Sequence, residues 1–385
     1  EGFSDIVALL KVLESKELVR EALDMQLRIS TTGTVSLEDV MKAIRNGKFL
    51  WGLGEQMGRA VGAMGRDALR CSINLKPDPG LYKSPLYQES HDRGEILVAA
   101  VLRAYLMVWE KRLDGKLDSE KGEKQSDRVA AWRVAEEGAK AAGHLLRIFI
   151  RAIDYLPPVH VDFPDFLSAT LTADWQICPD DSPYQYRKAL RAAFKDYGIE
   201  PASSGDGNEV GVWKSGVEDR EIQYRSGNVD SMRWNPEGIF RLMWENAKAL
   251  DLASDVYTRV NSVQPVWRLG PDGFMLRETV AEYYQLIKRA QPDDLRNLGI
   301  EVPDFMEEDV TVDIVGGGTL IFDEYGRLKF HIHNRINSAE NQHERLINLW
   351  QRGGLRRKDR SLRRFADLHN RRGSREPTFR EEGWL

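Results

Sequence analysis

The sequence VAAWRVAEEGAKAAGHLLRIFIRAI, Val129–Ile153, has the clearest structural pattern in this chain of 385 residues. Its apolar residues recur at three- and four-residue spacing, which lines one face of an α-helix. Ile96–Trp109 and Tyr186–Tyr197 repeat that spacing before and after it. The three stretches together predict that residues 1–200 form a mainly helical domain.

The pattern changes after Gly198, which is typical of a helix C-cap. Residues 201–228 begin PASSGDG and are predicted to be a linker. Residues 229–345 are predicted to form a smaller α+β domain, with a Gly316–Gly318 turn or bulge between strands. Its predicted helices are 238–252 and 278–290, its predicted strands 256–260, 263–269, 311–315, 319–322 and 327–333, and its predicted turns 270–273 and 323–326.

The composition is that of an ordinary globular protein, with 42% hydrophobic and 30% charged residues. No apolar run approaches the roughly 20 residues that span a bilayer, so no membrane partner is predicted. Two cysteines, Cys71 and Cys178, cannot form a disulfide framework or cage a structural zinc by themselves. They suit a reducing cytosol slightly better than export.

The last segment, residues 346–385, is predicted to be a basic tail. From Gln351 to Leu385 eleven Arg and Lys face five Asp and Glu, a local charge of +6, whereas the whole chain carries −5. Such a tail could bind nucleic acid or an acidic partner. A solvated terminus is the favoured interpretation, because the body is acidic and offers no evident aromatic stacking platform.

Glu1 and Asp5 form the first candidate site. On a helix, residues four apart lie on one face, so both carboxylates would project into the same space. A zinc ion could stabilise such a pair, with one carboxylate binding the metal and the other orienting a metal-binding His. The alternative is that the acids complement the dipole at a helix N-terminus, and the spacing alone favours this alternative.

His91 and Arg70 are the next candidates. His91 lies at the start of the predicted helix in SHDRGEI, where it could donate a hydrogen bond to a developing oxyanion or be an ordinary surface His. Arg70 precedes a Pro-rich loop and could hold a substrate carbonyl with its planar fork or form a structural ion pair. His331 and His333 share one face of a strand and could bind a metal, although an exposed strand face is favoured.

Three short motifs in order resemble those of thermolysin- and fungalysin-type (gluzincin) zinc metallopeptidases. EGFSDI, Glu1–Ile6, resembles the E-x-x-S-D helix of that family. LRCSI, Leu69–Ile73, followed by DPGLY, Asp78–Tyr82, resembles the L-R-S-M segment and the D-P-x-x-Y loop. HDRGEIL, His91–Leu97, is similar to the helix with the second catalytic His, especially the fungalysin form H-A-I-G-E. The match covers roughly residues 1–200.

This resemblance implies a role for each candidate. Glu1 would be the third zinc ligand, and Asp5 would orient a zinc-binding His. Arg70 would contact a backbone carbonyl of a peptide or protein substrate, and His91 would stabilise the tetrahedral oxyanion. The fold implied for residues 1–200 is the helical C-terminal domain of a thermolysin-like peptidase.

The family's H-E-x-x-H motif, which supplies two zinc ligands and the general base, does not occur in this sequence. Cys71 replaces the usual Ser, and Arg93-Gly94-Glu95 stands where the thermolysin-type Asn-Ser would be. This chain alone would therefore be inactive. Because it begins beside the helical pattern Ile6–Leu13, we expect it to be the C-terminal part of an enzyme, partnered by an N-terminal remainder of the same polypeptide. The alternative is a non-catalytic binding protein on a degenerate peptidase scaffold.

Overall fold

A computed structural model of the chain contains ten helices and two sheets among the residues it describes. Both helices and strands were predicted, and this mixed composition is confirmed. Two compact units are present: Glu1–Ile153 with Phe163–Val212, and Asp154–Asp162 with Trp213–Leu385. The described residues are 2–27, 33–47, 50, 72, 75–87, 90–119, 128–204, 209–214, 222–224, 233–304, 306–308 and 310–351.

The first unit is mainly helical, with one short antiparallel pair of strands. Its helices are α1 (Gly2–Leu13), α2 (Lys16–Gln26), α3 (Leu37–Asn46), α4 (Ser90–Ser119), α5 (Ala131–Ala152), α6 (Phe163–Ile177) and α7 (Tyr186–Lys195), and its strands are β1 (Thr34–Ser36) and β2 (Arg128–Ala130).

Close packing of α4 on α5 organises the core of the first unit. A Cβ atom on Gly138 would lie 2.5 Å from the Trp109 ring, so only glycine lets the indole lie against α5. The Trp109 side chain is fully buried and donates a hydrogen bond from Nε1 to the Val134 carbonyl, 2.9 Å away. A small residue in the Val129–Ile153 pattern, Gly138, therefore lets a large aromatic side chain pack closely against α5.

The second unit is built on a four-stranded antiparallel sheet with strand order β3-β4-β5-β6. Helix α8 packs Ile239, Leu242 and Met243 into a cluster that includes Val260 and Tyr283 of the sheet. Its elements are α8 (Pro236–Glu245), β3 (Tyr257–Leu269), β4 (Met275–Ala290), α9 (Pro292–Asn297), β5 (Val312–Phe322), β6 (Leu328–Asn334) and α10 (Ala339–Gln351).

Two sequence predictions in this unit are wrong. Residues 278–290 form the central strand β4 and not a helix, because both of their faces are buried and the apolar residues then form an almost continuous run. Gly316–Gly318 lies inside β5 and not in a turn between two strands. A Cβ on Gly316 would lie 2.3 Å from the backbone N of Ile336, so these glycines allow a close backbone approach.

Parts of the predicted linker and tail are ordered segments. In the linker, the amide of Ala202 donates to the Pro164 carbonyl at 3.2 Å, and the hydroxyl of Ser203 donates to the Val212 carbonyl at 2.5 Å. Residues 346–351 form the end of α10, and residues 352–385 lie outside the described residues. Within the described part of the chain, no helix has the length and apolar content needed to cross a membrane.

Candidate active site

The four predicted site residues are described to different extents. Glu1 and Arg70 lie outside the described residues, and His91 is described only as part of the first turn of α4. Asp5 lies in the first turn of α1 and is partly exposed, where its charge complements the helix dipole.

Helices α1 and α4 touch through two glycines. A Cβ on Gly2 would lie 2.9 Å from both the Cα and the carbonyl O of Gly94. A Cβ on Gly94 would lie 3.1 Å from the backbone N of Gly2. Real Cβ atoms are essentially never closer than 3.0 Å to such atoms, so the two backbones are in direct contact and leave no room for a side chain at Gly2.

This contact brings together the segments that carry three of the four predicted residues. Glu1 is covalently joined to Gly2, and Asp5 follows one turn later on α1. His91 precedes Gly94 by three residues, which is one turn of α4. The first turn of α1, which carries Asp5, and the first turn of α4 are therefore close together. The position of Arg70 relative to them lies outside the description.

The D-P-x-x-Y loop is attached to the same turn of α4. The Arg93 guanidinium lies over the Tyr82 ring, 4.6 Å from its centroid, and over the Phe163 ring at 5.5 Å. The Tyr82 and Phe163 rings are 5.9 Å apart. Cations over aromatic faces are attracted by the ring quadrupole, so Arg93 holds the loop against α4 two residues after His91.

The other end of this loop is anchored at the end of α7. Tyr197 donates a hydrogen bond from its hydroxyl to the Leu75 carbonyl at 2.9 Å. Gly198 has a φ of +79°, and a Cβ there would overlap the Pro79 carbonyl. Asp78 accepts a hydrogen bond from the Gly80 amide at 2.8 Å, which fixes the turn itself. The loop is thus held at both ends beside the start of α4.

Acidic groups make the start of α4 electrostatically distinct. Glu95 lies four residues after His91 and so on the same face of the helix. Its partial burial, and then the negative charge of Asp92, raise the pKa of Glu95 above its usual value.

The sequence did not predict two of these features. Gly2 and Gly94 are both present in the quoted motifs, but nothing local indicates that they meet. Arg93 stands where the family pattern has another residue, and its aromatic partners Tyr82 and Phe163 are distant in sequence. A glycine at the start of each of two convergent helices was the one available signal.

The described residues contain no group of three or more His, Cys, Asp and Glu able to hold a metal ion. A zinc site needs at least three protein ligands. Of the ligands that the resemblance implies, the given sequence contains Glu1. Its donor type fits zinc, because a carboxylate oxygen is an ordinary zinc ligand.

The histidine pair on strand β6, His331 and His333, makes hydrogen bonds within the protein. His331 and His333 stack at a centroid distance of 4.2 Å. The Nε2 atom of His331 is 2.8 Å from the Tyr283 hydroxyl, and Arg335 donates to Nε2 of His333 at 3.2 Å. This geometry favours a hydrogen-bonded strand face over the alternative of a metal site.

No model of a known protein family, no curated protein and no solved structure matches this chain.

Proposed function

We propose that residues 1–200 are the C-terminal part of a gluzincin-type zinc metalloendopeptidase with a thermolysin-like helical domain. The observation that carries the proposal is the contact between Gly2 and Gly94. It places the first turn of α1, which contains Asp5 of the E-x-x-S-D motif, against the first turn of α4, which contains His91. The three motifs of the resemblance would then serve one catalytic centre.

Close approach of these helices is what the chemistry demands. An oxyanion donor must lie about 2.7–3.1 Å from the oxygen that becomes negative in the transition state. A metal ligand lies about 2.0–2.2 Å from its ion when the ligand is a carboxylate oxygen. Side chains from two neighbouring helices can meet both limits around one substrate carbonyl, and the contact between α1 and α4 makes these two helices neighbours at that level.

Each of the four candidate residues would then have one role. Zinc, when bound, supplies a water with a pKa lowered to about 7. Glu1 would bind the zinc ion. Asp5 would accept a hydrogen bond from an imidazole that also binds the zinc ion. Arg70 would donate its planar fork to a backbone carbonyl of the substrate. His91 would donate a hydrogen bond from a ring N–H to the developing oxyanion.

The experiment uses the gene product extended upstream of Glu1, with a peptide library as substrate. His91→Ala should lower turnover by about 100- to 1,000-fold while the zinc content is unchanged, because only an oxyanion donor is removed. His343→Ala is the matched control, since His343 lies on α10 in the second unit. Unchanged turnover in His91→Ala would contradict its role.

An upstream sequence without H-E-x-x-H and a product without zinc would contradict the peptidase as a whole. The motifs of residues 1–200 would then belong to a non-catalytic binding protein on the same scaffold. Zinc content therefore separates the two functions before any substrate is known.

A further inference from the structure

The hairpin of β3 and β4 extends beyond the rest of its sheet. Strand β4 pairs with β3 from Met275 onward, whereas its pairing with β5 begins at Thr279. Residues 266–278, the hairpin tip, therefore form a two-stranded extension. Each residue of a strand adds about 3.3 Å, so the four paired residues beyond Thr279 make the extension roughly 13 Å long.

One side of the hairpin tip is apolar and exposed. Trp267 is 65% exposed, Leu269 51%, Phe274 72% and Met275 55%. Leu269 is paired with Met275, and Trp267 with Arg277, so these side chains share one face of the two strands. Phe274 lies beside the turn. Trp267, Leu269 and Met275 thus lie together on this face. Phe274 precedes Met275 by one residue and so lies on the other side of the ladder, as the fourth exposed apolar side chain at the end of the projection.

The opposite face of the hairpin tip is occupied by a buried ion-pair cluster. Arg268 pairs with Glu278 at 2.9 Å and with Asp154 at 3.0 Å, and it donates to the Tyr155 hydroxyl at 2.5 Å. Lys329 pairs with Glu278 at 2.8 Å. This cluster fixes the extension to the second unit, so the apolar face has a defined orientation.

The turn at the end is also well defined. The Gly270 amide donates to the Phe274 carbonyl at 2.8 Å, and the Phe274 amide donates to Asp272 at 3.1 Å. Gly273 has a φ of +83°, a conformation that favours glycine. The backbone of Phe274 is therefore fixed by a hydrogen-bonded turn, and its side chain is largely exposed.

The exposed area is too small for a stable dimer through this face. Trp and Phe cover roughly 150–250 Å² each when fully buried, so these four exposed fractions amount to about 500 Å². A stable interface takes about 800 Å² from each partner. Pairing along the edge of β3 is also blocked, because Pro265 lacks an amide hydrogen and a bulge lies between Val260 and Ser262.

We propose that the hairpin tip binds the surface of a phospholipid bilayer. A convex apolar end fits the headgroup layer directly, whereas a protein partner would need a matching groove. Trp267 is of the residue type that concentrates at this depth, and the Arg277 guanidinium lies 5.9 Å from its ring centroid. Leu269, Phe274 and Met275 would then lie deeper than this pair, with the charge at the level of the phosphates.

Such a contact needs no spanning segment and does not depend on the proposed peptidase. The prediction from sequence of no membrane partner considered only spanning segments, and the proposal goes beyond it. The tip carries two arginines, one aspartate and one glutamate, so its formal charge is zero. We therefore expect apolar insertion to dominate, with binding to uncharged phosphatidylcholine and little dependence on salt.

The experiment is flotation of the full chain with phosphatidylcholine vesicles, with and without phosphatidylserine. The test variant is Phe274→Ser/Met275→Ser. The matched control is Met25→Ser/Leu86→Ser in the first unit, because Met25 is 63% and Leu86 79% exposed. Circular dichroism checks that both variants fold.

We expect the wild-type chain and the control variant to float with the vesicles. The vesicle-bound to free ratio of the hairpin variant should be at least about tenfold lower. It is overturned if the wild-type chain does not float at millimolar lipid, or if the hairpin variant floats as well as the control. Sedimentation velocity supplies the remaining outcome. Self-association that is lost in the hairpin variant, without vesicle binding, would assign the surface to a second copy of the chain.

Discussion

Gly2 on α1 lies directly against Gly94 on α4, with backbone atoms where side chains would otherwise be. Each glycine belongs to a motif that resembles part of a peptidase active site. The contact therefore links two short sequence signals, far apart in the chain, at one place in the fold. Its physical consequence is that a methyl group at either position must move a helix.

Gly94→Ala should destabilise the protein by about 1–2 kcal/mol, because its Cβ would lie 3.1 Å from the Gly2 backbone N and overpack the crossing. The sign of the change in the free energy of unfolding is informative, because alanine normally stabilises a helix interior by about 1 kcal/mol relative to glycine. The measurement is the free energy of unfolding in urea. Gly143→Ala is the control, because the nearest atoms to its Cβ would be in the movable side chains of Glu14, at 3.0 Å and 3.3 Å, and Arg147, at 3.5 Å.

A stabilised Gly94→Ala variant would show that α1 can move away from α4 without cost. The two helices would then not define a fixed distance, and the shared site would lose its geometric basis.

Tyr82→Leu should loosen the loop beside α4, because it removes the ring under the Arg93 guanidinium. A cation–π contact is worth about 0.5–1 kcal/mol at an exposed site, so tryptic cleavage after Lys83 should become about two- to fivefold faster. The rate is measured by limited proteolysis followed by mass spectrometry. Tyr325→Leu, at a residue 67% exposed in the second unit, should leave that cleavage unchanged. Equal rates in Tyr82→Leu would mean that the anchors at Tyr197 and Gly198 suffice.

Glu137→Ala should be among the most destabilising substitutions in the first unit. Glu137 is fully buried and pairs with Arg112 at 2.9 Å, and Arg112 also donates to the Tyr186 hydroxyl at 3.2 Å. Losing the carboxylate leaves a buried guanidinium without its counter-charge, which costs about 3–5 kcal/mol. The double variant Arg112→Met/Glu137→Leu should recover much of this loss, as measured by urea unfolding. A double variant as unstable as Glu137→Ala would contradict the electrostatic explanation.

Acid should destabilise the protein partly through His160. Burial, and then the positive charge of Arg345, lower the pKa of His160 to about 4, and its Nε2 atom lies 2.9 Å from the Val315 carbonyl. An unfolded chain binds the proton near pH 6.5, so the stabilisation is complete above that pH and is lost as the pH falls towards 4. The slope contributed by this residue is at most about 1.4 kcal/mol per pH unit.

His160→Asn is the variant for this measurement, because His160 has a φ of +54° and asparagine tolerates that conformation. The free energy of unfolding of the variant should change less between pH 6.5 and 4 than that of the wild type. Burial also lowers the pKa of His144 to about 4, so part of the wild-type slope should remain in the variant. Identical slopes in the two proteins would contradict the assignment to His160.

Helices α5 and α7 could be predicted because each buries mainly one face and so keeps its apolar spacing. Helix α6 was not predicted, and it is buried at every residue from Asp165 to Asp174. The pattern Val129–Ile153 contains the whole of α5, Ala131–Ala152. Strand β4 could not be assigned in this way, because a strand buried on both faces has no alternation and looks like a short buried helix. Its aromatic pair Tyr283-Tyr284 was the available indication of a strand.

The candidate site was predictable only as a set of motifs. The spacing of Glu1 and Asp5, and the place of His91 at a helix start, can be read locally. Convergence of their helices depends on a contact between residues more than ninety positions apart, which no local pattern encodes. The clamp of Arg93 on Tyr82 and Phe163 is of the same kind, since it joins a loop and two helices through side chains.

The most direct test of the peptidase proposal is the zinc affinity of the gene product extended upstream of Glu1. We predict that the wild-type protein binds zinc with a defined stoichiometry, that Glu1→Ala abolishes this binding, and that Asp5→Asn weakens it roughly 10- to 100-fold. Glu17→Ala, at an exposed residue of α2, should bind zinc as the wild type does. Zinc binding that is equally strong in Glu1→Ala, or absent from the wild-type protein, would contradict a metal centre built on the first turn of α1.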